Sequence, residues 1–152
     1  MVDIVDAETR SRMMSAIRSK NTKPELLVRK LLHSKGYRYR LHVKTLPGNP
    51  DIVLKRWNAV ILVHGCFWHG HQGCHLSHIP KTRTDFWLGK ISANKLRDTK
   101  TGERLIADGW RVIEVWECAI KGKARLEPEV LGSLLGAALA NDKQSLQQIR
   151  GK

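Results

Sequence analysis

Acidic residues are scarce in this chain. Its 152 residues include 27 Lys and Arg against 14 Asp and Glu, a formal net charge of +13. A deficit this large favours a polyanionic partner, nucleic acid above all. A basic surface with no such partner is the plain alternative. Long apolar runs are also missing. None approaches the roughly 20 residues that cross a bilayer, which excludes a membrane-spanning helix. Asp3, Asp6 and Glu8 fall where a secretory leader would be basic and then apolar, so the expected location is the cytoplasm. Three cysteines cannot close a disulfide set among themselves, and in a reducing compartment a metal site is the better expectation. No repeat and no long linker divides the chain. A single domain over residues 1–152 is expected, long enough to bury a respectable core.

What is present is concentrated in Val60-Ile-Leu-Val-His-Gly-Cys-Phe-Trp-His-Gly-His-Gln-Gly-Cys74. Five of the seven histidines lie between His64 and His78, with Cys66, Cys74, Phe67 and Trp68 among them. An apolar run passing into such a loop is what a strand-end active site beside a metal clamp looks like. Cys66-x4-His71-x2-Cys74 has workable zinc spacing, and Cys118 completes a Cys3His set. His69 and His75 are rival ligands. Four protein ligands would make a closed, structural site.

The elements around it read as follows. A first helix opens at Asp6 or Thr9 and runs to about Ser19. Its Met13, Met14 and Ile17 form a narrow apolar stripe that suits either core packing or a DNA-contacting arm over residues 1–20, with a Met free to wedge between bases. Thr22-Lys-Pro-Glu25 is a capping box that starts a second helix, with Leu26, Leu27, Leu31 and Leu32 inward and Gly36 as the stop. Glu25 serves either as a cap or as an acid at the mouth of a site. Tyr37–Val43 alternates as a half-buried strand. Asp51–Leu54 and Ala59–Val63 form a hairpin, the second strand buried on both faces. Asp51 begins a buried strand after Pro50, where a magnesium carboxylate suits a hard cation, although Pro-Asp is also an ordinary turn pair. A long helix capped by Thr84 or Asp85 runs to Ala107 or Asp108. Trp87 near its start suits the core or a base stack, and Asn94, Lys95, Arg97 and Asp98 read as a solvated face. Trp110–Cys118 is a fourth strand. If it runs parallel to Ala59–Val63, Cys118 and Cys66 leave the sheet at the same edge. A last helix spans about Glu127 to Ala140, and residues 141–152 read as a frayed tail.

This order of elements resembles the restriction-endonuclease-like fold, an α/β architecture with a mixed central sheet flanked by helices. Thr9-Arg-Ser11 with Met14, Pro47-Gly-x-Pro-Asp51, His64-Gly-Cys-Phe-Trp-His69, Thr82-Arg-Thr-x-Phe-Trp87 and Trp110-Arg-Val through Val-Trp-Glu-Cys118 resemble the very-short-patch repair endonucleases. The likeness covers roughly Asp6 to Gly122. That family nicks DNA 5′ of the thymine in T:G mismatches left by deamination of 5-methylcytosine.

The resemblance implies that Asp51 binds Mg2+ together with the backbone carbonyl of Val63, and that activated water leaves a 3′-hydroxyl and a 5′-phosphate. It implies His69 as general base or acid, His64 steadying the scissile phosphate, and Glu25 and Asp98 as acids near the metal. Phe67, Trp68 and Trp87 would intercalate from the major groove and Met14 from the minor groove. Zn2+ would be structural, on Cys66, His71, Cys74 and Cys118. The implied partner is double-stranded DNA with a T:G mismatch, bound by a monomer linked in function to a cytosine-5 DNA methyltransferase and mismatch-repair proteins. Two departures stand out. The strand Val60–Val63 lacks the second acid and Lys common in the fold, and Gln72 and Gly73 both separate His71 from Cys74 where the family has one residue. A zinc-containing DNA-binding module without catalysis, or a nuclease of broader substrate, is the competing expectation.

Overall fold

The structure is a computed structural model and describes residues 21–152. The expected first helix, the 1–20 arm and Met14 lie outside the described residues. Helix α1 spans Lys23–Ser34, with Thr22 as N-cap and Pro24 in the first turn. Only half of the capping box forms. The Thr22 hydroxyl accepts the Glu25 N–H at 3.4 Å, while the Glu25 side chain turns to other partners. The inward face is Glu25, Val28 and Leu32 rather than the full leucine set, and Leu26 is exposed.

A five-stranded sheet follows in the order β1 (Arg40–Leu41), β2 (Ile52–Leu54), β3 (Ala59–His64), β4 (Arg111–Trp116) and β5 (Leu146–Ile149). The first two pairings are antiparallel and the last two parallel. The expected strand Tyr37–Val43 shrinks to two residues. His42 sits at φ 47°, in the left-handed region, and breaks the alternation. Tyr37 and Tyr39 accordingly pack on one side of the sheet and Val43 on the other. Asn58, also left-handed, closes the turn between β2 and β3.

Both faces of the sheet are covered. Val28 and Leu32 of α1 and Leu131, Leu135 and Leu139 of α3 (Pro128–Ala140) pack on Ile52, Ile61, Ile113 and Val115. On the opposite face, Leu105 and Ile106 of α2 (Thr84–Ala107) pack on Val53, Val60, Leu62 and Val112. Burial on both faces is why β3 reads as an unbroken apolar run. Helix α2 begins differently from expectation. Arg83, left-handed and without a side-chain cap, precedes it, and the Thr84 hydroxyl donates to the carbonyls of Pro80 and Lys81. At the end of α3, Arg111 donates to the carbonyls of Ala138, Leu139 and Asn141, satisfying acceptors that a helix C-terminus leaves open.

The frayed tail is a correction. Leu146–Ile149 pairs with β4, Val115 opposite Ile149, and Ile149 is buried in the core. One inward apolar residue in a polar segment leaves no readable periodicity, so the backbone ladder with β4 makes the strand. Among the described residues no helix is long and apolar enough to cross a membrane.

Candidate active site and metal centre

The parallel register of β3 and β4 sets His64 opposite Trp116, so both chains leave the sheet at one edge. Among the described residues, three clusters of metal-competent side chains are built from that edge and from β2 beside it.

The first is Cys66, His71, Cys74 and Cys118, whose ligand atoms lie within 4.8 Å of one another. His71 Nδ1 is 3.5 Å from Cys66 Sγ and 3.6 Å from Cys118 Sγ. Of the three histidines considered from sequence, His71 is the one that joins the thiols, and His69 turns away to Asp98. The extra Gly73 is absorbed by a left-handed turn at φ 66°. Burial pushes the thiols of Cys66 and Cys118 up and the His71 imidazole down. A neutral imidazole is ready to ligate, whereas buried thiols ionise only when a cation offsets the desolvation. The donor set therefore fits a tetrahedral zinc ion. Backbone donors surround the sulfurs: Cys118 N–H reaches Cys66 Sγ and Gly151 N–H reaches Cys118 Sγ, each at 3.3 Å. Glu117 accepts the Cys66 N–H at 3.2 Å. The His71 ring stacks on Trp116 at 4.0 Å.

The second cluster is His64, His69 and Asp98. The imidazoles are 4.1 Å apart between centroids. His69 Nδ1–H donates to Asp98 Oδ2 at 2.5 Å, which leaves Nε2 as the acceptor nitrogen. His64 Nε2 lies 2.9 Å from Glu114 Oε2, close enough for an ion pair but outside hydrogen-bond angles. Asn94, one turn before Asp98, donates to the Trp68 carbonyl at 2.9 Å. The face read as solvated thus holds the loop in place. Gly70, at φ 59°, lies against α2 so closely that a Cβ would meet Ile91 at 2.6 Å.

The third cluster is Glu25, His42 and Asp51, again within 4.8 Å. Glu25 is only 1% exposed. It accepts from Arg29 one turn on and from His42 Nε2. Asp51 Oδ2 accepts the Val63 N–H at 2.8 Å. Burial, followed by the neighbouring Glu25 carboxylate, raises the Asp51 pKa from 3.8 to about 7, against the opposing pull of the Val63 N–H and of His69. Two facing acids in a poorly hydrated cleft are a site that a cation relieves. The hairpin supplies a further oxygen. Ile52 pairs with Ile61, and the same register carried two residues further would set Pro50 opposite Val63. Pro50 has no N–H to give the Val63 carbonyl, which an ordinary ladder partner would have engaged. Asp51 and that carbonyl could together hold a hard divalent cation.

His69 lies near enough for its field to act on Asp51, so the second and third clusters are neighbours and make up one candidate site. Beside it Phe67, Trp68 and Trp87 pack edge to face, 5.1–5.9 Å between centroids. Trp87 is mostly buried beneath the other two. The acids Glu25, Asp51 and Asp98, the histidines His64 and His69, and the four zinc-type ligands, all named from the sequence, fall within these three clusters. Sequence reasoning missed His42, Arg29, Glu114, Glu117 and Gly151. Of these, only the Glu25–Arg29 spacing of four on a helix was readable.

The chain is similar to known proteins. The model of a family described as "DNA mismatch endonuclease Vsr" matches residues 2–75. "DNA mismatch endonuclease Vsr" of Escherichia coli is 42% identical over 147 residues, 97% of this chain and 94% of the relative. "Type II nicking enzyme V.XorIIP" of Xanthomonas oryzae pv. oryzae is 52% identical over 127 residues, 84% of this chain and 93% of the relative. "Type II nicking enzyme V.NmeAIP" of Neisseria meningitidis is 52% identical over 124 residues, 82% and 88% respectively. With a relative of this similarity aligned across nearly the whole chain, the chain belongs to the Vsr family of DNA mismatch endonucleases.

Proposed function

We propose that this protein is a DNA mismatch endonuclease that nicks one strand 5′ of the thymine in a T:G mismatch and so initiates very-short-patch repair. The observation that supports the reading is the pairing of two neighbouring clusters, Glu25 with Asp51 and His64 with His69, with His69 close enough to act on Asp51. Family membership supports the substrate class, since the names of its relatives specify mismatched DNA and nicking.

Asp51, the Val63 carbonyl and Glu25 would hold Mg2+, which when bound would supply Lewis acidity toward phosphate oxygens and make water a better nucleophile near neutral pH. Asp98 fixes the His69 tautomer, so that Nε2 accepts the proton of the attacking water or returns one to the leaving oxygen. His64 donates to the scissile phosphate and is steadied from behind by Glu114. The products are a 3′-hydroxyl and a 5′-phosphate. Zn2+ on Cys66, His71, Cys74 and Cys118 ties the β3 and β4 exits together and takes no part in the chemistry. Phe67 and Trp68 enter the duplex beside the mispair, with the buried Trp87 packed beneath them as their support, and Met14 enters from the minor groove. Unstacking costs a few kcal/mol per step and least at a mispair, which favours the mismatch over sound DNA. The protein acts as a single-domain monomer in the cytoplasm, in a pathway shared with a cytosine-5 methyltransferase and mismatch-repair proteins.

The test is nicking of end-labelled T:G, T:A and C:G duplexes with magnesium. Wild-type protein should nick the T:G duplex alone, on the thymine strand. Asp51→Ala should abolish nicking while a gel-shift assay shows the duplex still bound. Nicking retained by Asp51→Ala would remove the assigned metal site.

A further inference from the structure

We propose that His42 is a positioning residue that holds Glu25 against Asp51 and thereby sets the affinity of this carboxylate pair for a divalent cation. The proposal rests on the reading of Asp51 and Glu25 as the metal-holding acids and adds a residue that no family motif or zinc-type spacing picked out.

One residue grips both acids. The His42 backbone N–H donates to the Asp51 carbonyl at 3.1 Å. Its side chain reaches the other acid, Nε2–H donating to Glu25 Oε2 at 2.9 Å. The backbone bond continues the β1–β2 register, whereas the side-chain bond depends on the left-handed backbone at φ 47°, a conformation few non-glycine residues adopt. An ordinary strand residue at this position would point its side chain to one face of the sheet and could not turn toward α1 in this way.

The geometry at Glu25 suggests what the grip achieves. Among the described residues, the side-chain donors to Glu25 are Arg29 and His42, and both engage Oε2. Both side-chain bonds thus fall on one carboxylate oxygen, which leaves the other without a side-chain donor among the described residues. Arg29 alone would be a poor anchor, because a guanidinium always brings a full positive charge to a site meant for a cation. An imidazole donates from Nε2 without needing that charge. Hydrogen-bond partners behind a ligating carboxylate fix its orientation, and their loss commonly weakens metal binding by tenfold or more.

The experiment uses the full-length, zinc-loaded protein and Mn2+ as a paramagnetic substitute for Mg2+. Binding is followed by the EPR signal of free Mn2+ for wild type, His42→Ala, His42→Gln and Asp51→Ala. His42→Ala should weaken Mn2+ binding by about tenfold or more, while kcat at saturating Mn2+ changes much less than the Mn2+ concentration needed for half-maximal nicking. His42→Gln, whose amide donates from nearly the same place, should recover most of the affinity. His42→Met fills the same space without a donor and replaces the alanine variant if that fails to fold. Wild-type affinity in His42→Ala or His42→Met overturns the proposal. So does a His42→Gln variant as weak as the alanine variant that also loses a 14N coupling to bound Mn2+ seen in wild type, because His42 would then be a ligand. Unchanged Mn2+ binding in Asp51→Ala would instead overturn the reading of Asp51 itself.

Discussion

The side chain with the most to say about conditions is Asp51. Its pKa is raised from 3.8 to about 7, by burial first and by Glu25 next. An acid held more tightly protonated in the folded chain adds stability that is full below its ordinary pKa. That stability is lost as pH rises through about 7. The metal-free protein should therefore lose stability across this window, and added magnesium should restore it at the upper end. Magnesium must also displace a proton below about pH 7. Calorimetric titration in buffers of different ionisation enthalpy should show proton release of up to one per site, fading above neutrality. A pH-independent affinity would contradict this. His69 is the second residue to test. His69→Ala should lower kcat by about a hundred- to ten-thousand-fold, the usual contribution of a positioned general base, with duplex affinity retained. Asp98→Asn should cost less, since the ring remains and only its tautomer is released.

At the level of elements, β5 changes the picture of the zinc centre. The strand runs toward the same edge as β3 and β4. It delivers the Gly151 N–H to Cys118 Sγ at 3.3 Å and the Arg150 guanidinium to the Gln72 carbonyl. Lys152 N–H donates to the Ala124 carbonyl at 2.8 Å. A Cβ on Gly151 would meet the carbonyls of Cys118 and Ala124 at 2.5 Å, and neither backbone atom can yield cheaply. Gly151→Ala should therefore push the end of β5 away from Cys118 and speed zinc loss. Release to a chromogenic chelator, compared with wild type, measures it; an unchanged rate would mean that the Gly151 N–H contributes nothing to holding the metal. Helix α2 carries a parallel lesson. Its Asn94 and Asp98, one turn apart, hold the loop after β3 by the Trp68 carbonyl and by His69. A polar stretch that reads as solvent-facing becomes the backing of His69.

On the scale of the molecule, the zinc-type cluster stands beside the cleft and touches it through Trp116. That ring stacks on His71 on one side and lies 5.1 Å from His64 on the other. Stripping zinc should therefore do more than loosen a loop. Chelation should lower Tm and abolish nicking together, and magnesium alone should rescue neither, because the thiols and the carboxylates form separate sites. Elemental analysis should show about one zinc per chain, following from a Cys3His ligand set. If Cys118→Ser kept full zinc content and stability, this ligand set would be wrong.

The sequence by itself determined the inventory and most of the scaffold. Periodicity placed the three described helices and the buried hairpin, spacing picked out Cys66, His71 and Cys74, and the resemblance to a family pattern named Asp51, His64 and His69 as one group. These features are legible because they are local or because they recur as motifs. The tertiary structure decided what depends on positions far apart in the chain. It chose His71 over its rivals by burying it among the thiols and moved Glu25 from a helix cap to the cleft. It made β5 out of a segment with one inward apolar residue, and it turned His42 toward Glu25 by a left-handed backbone that no composition announces. Backbone ladders and long-range side-chain convergence carry little trace in a linear pattern, because the partner of each group is named only when the chain has closed upon itself.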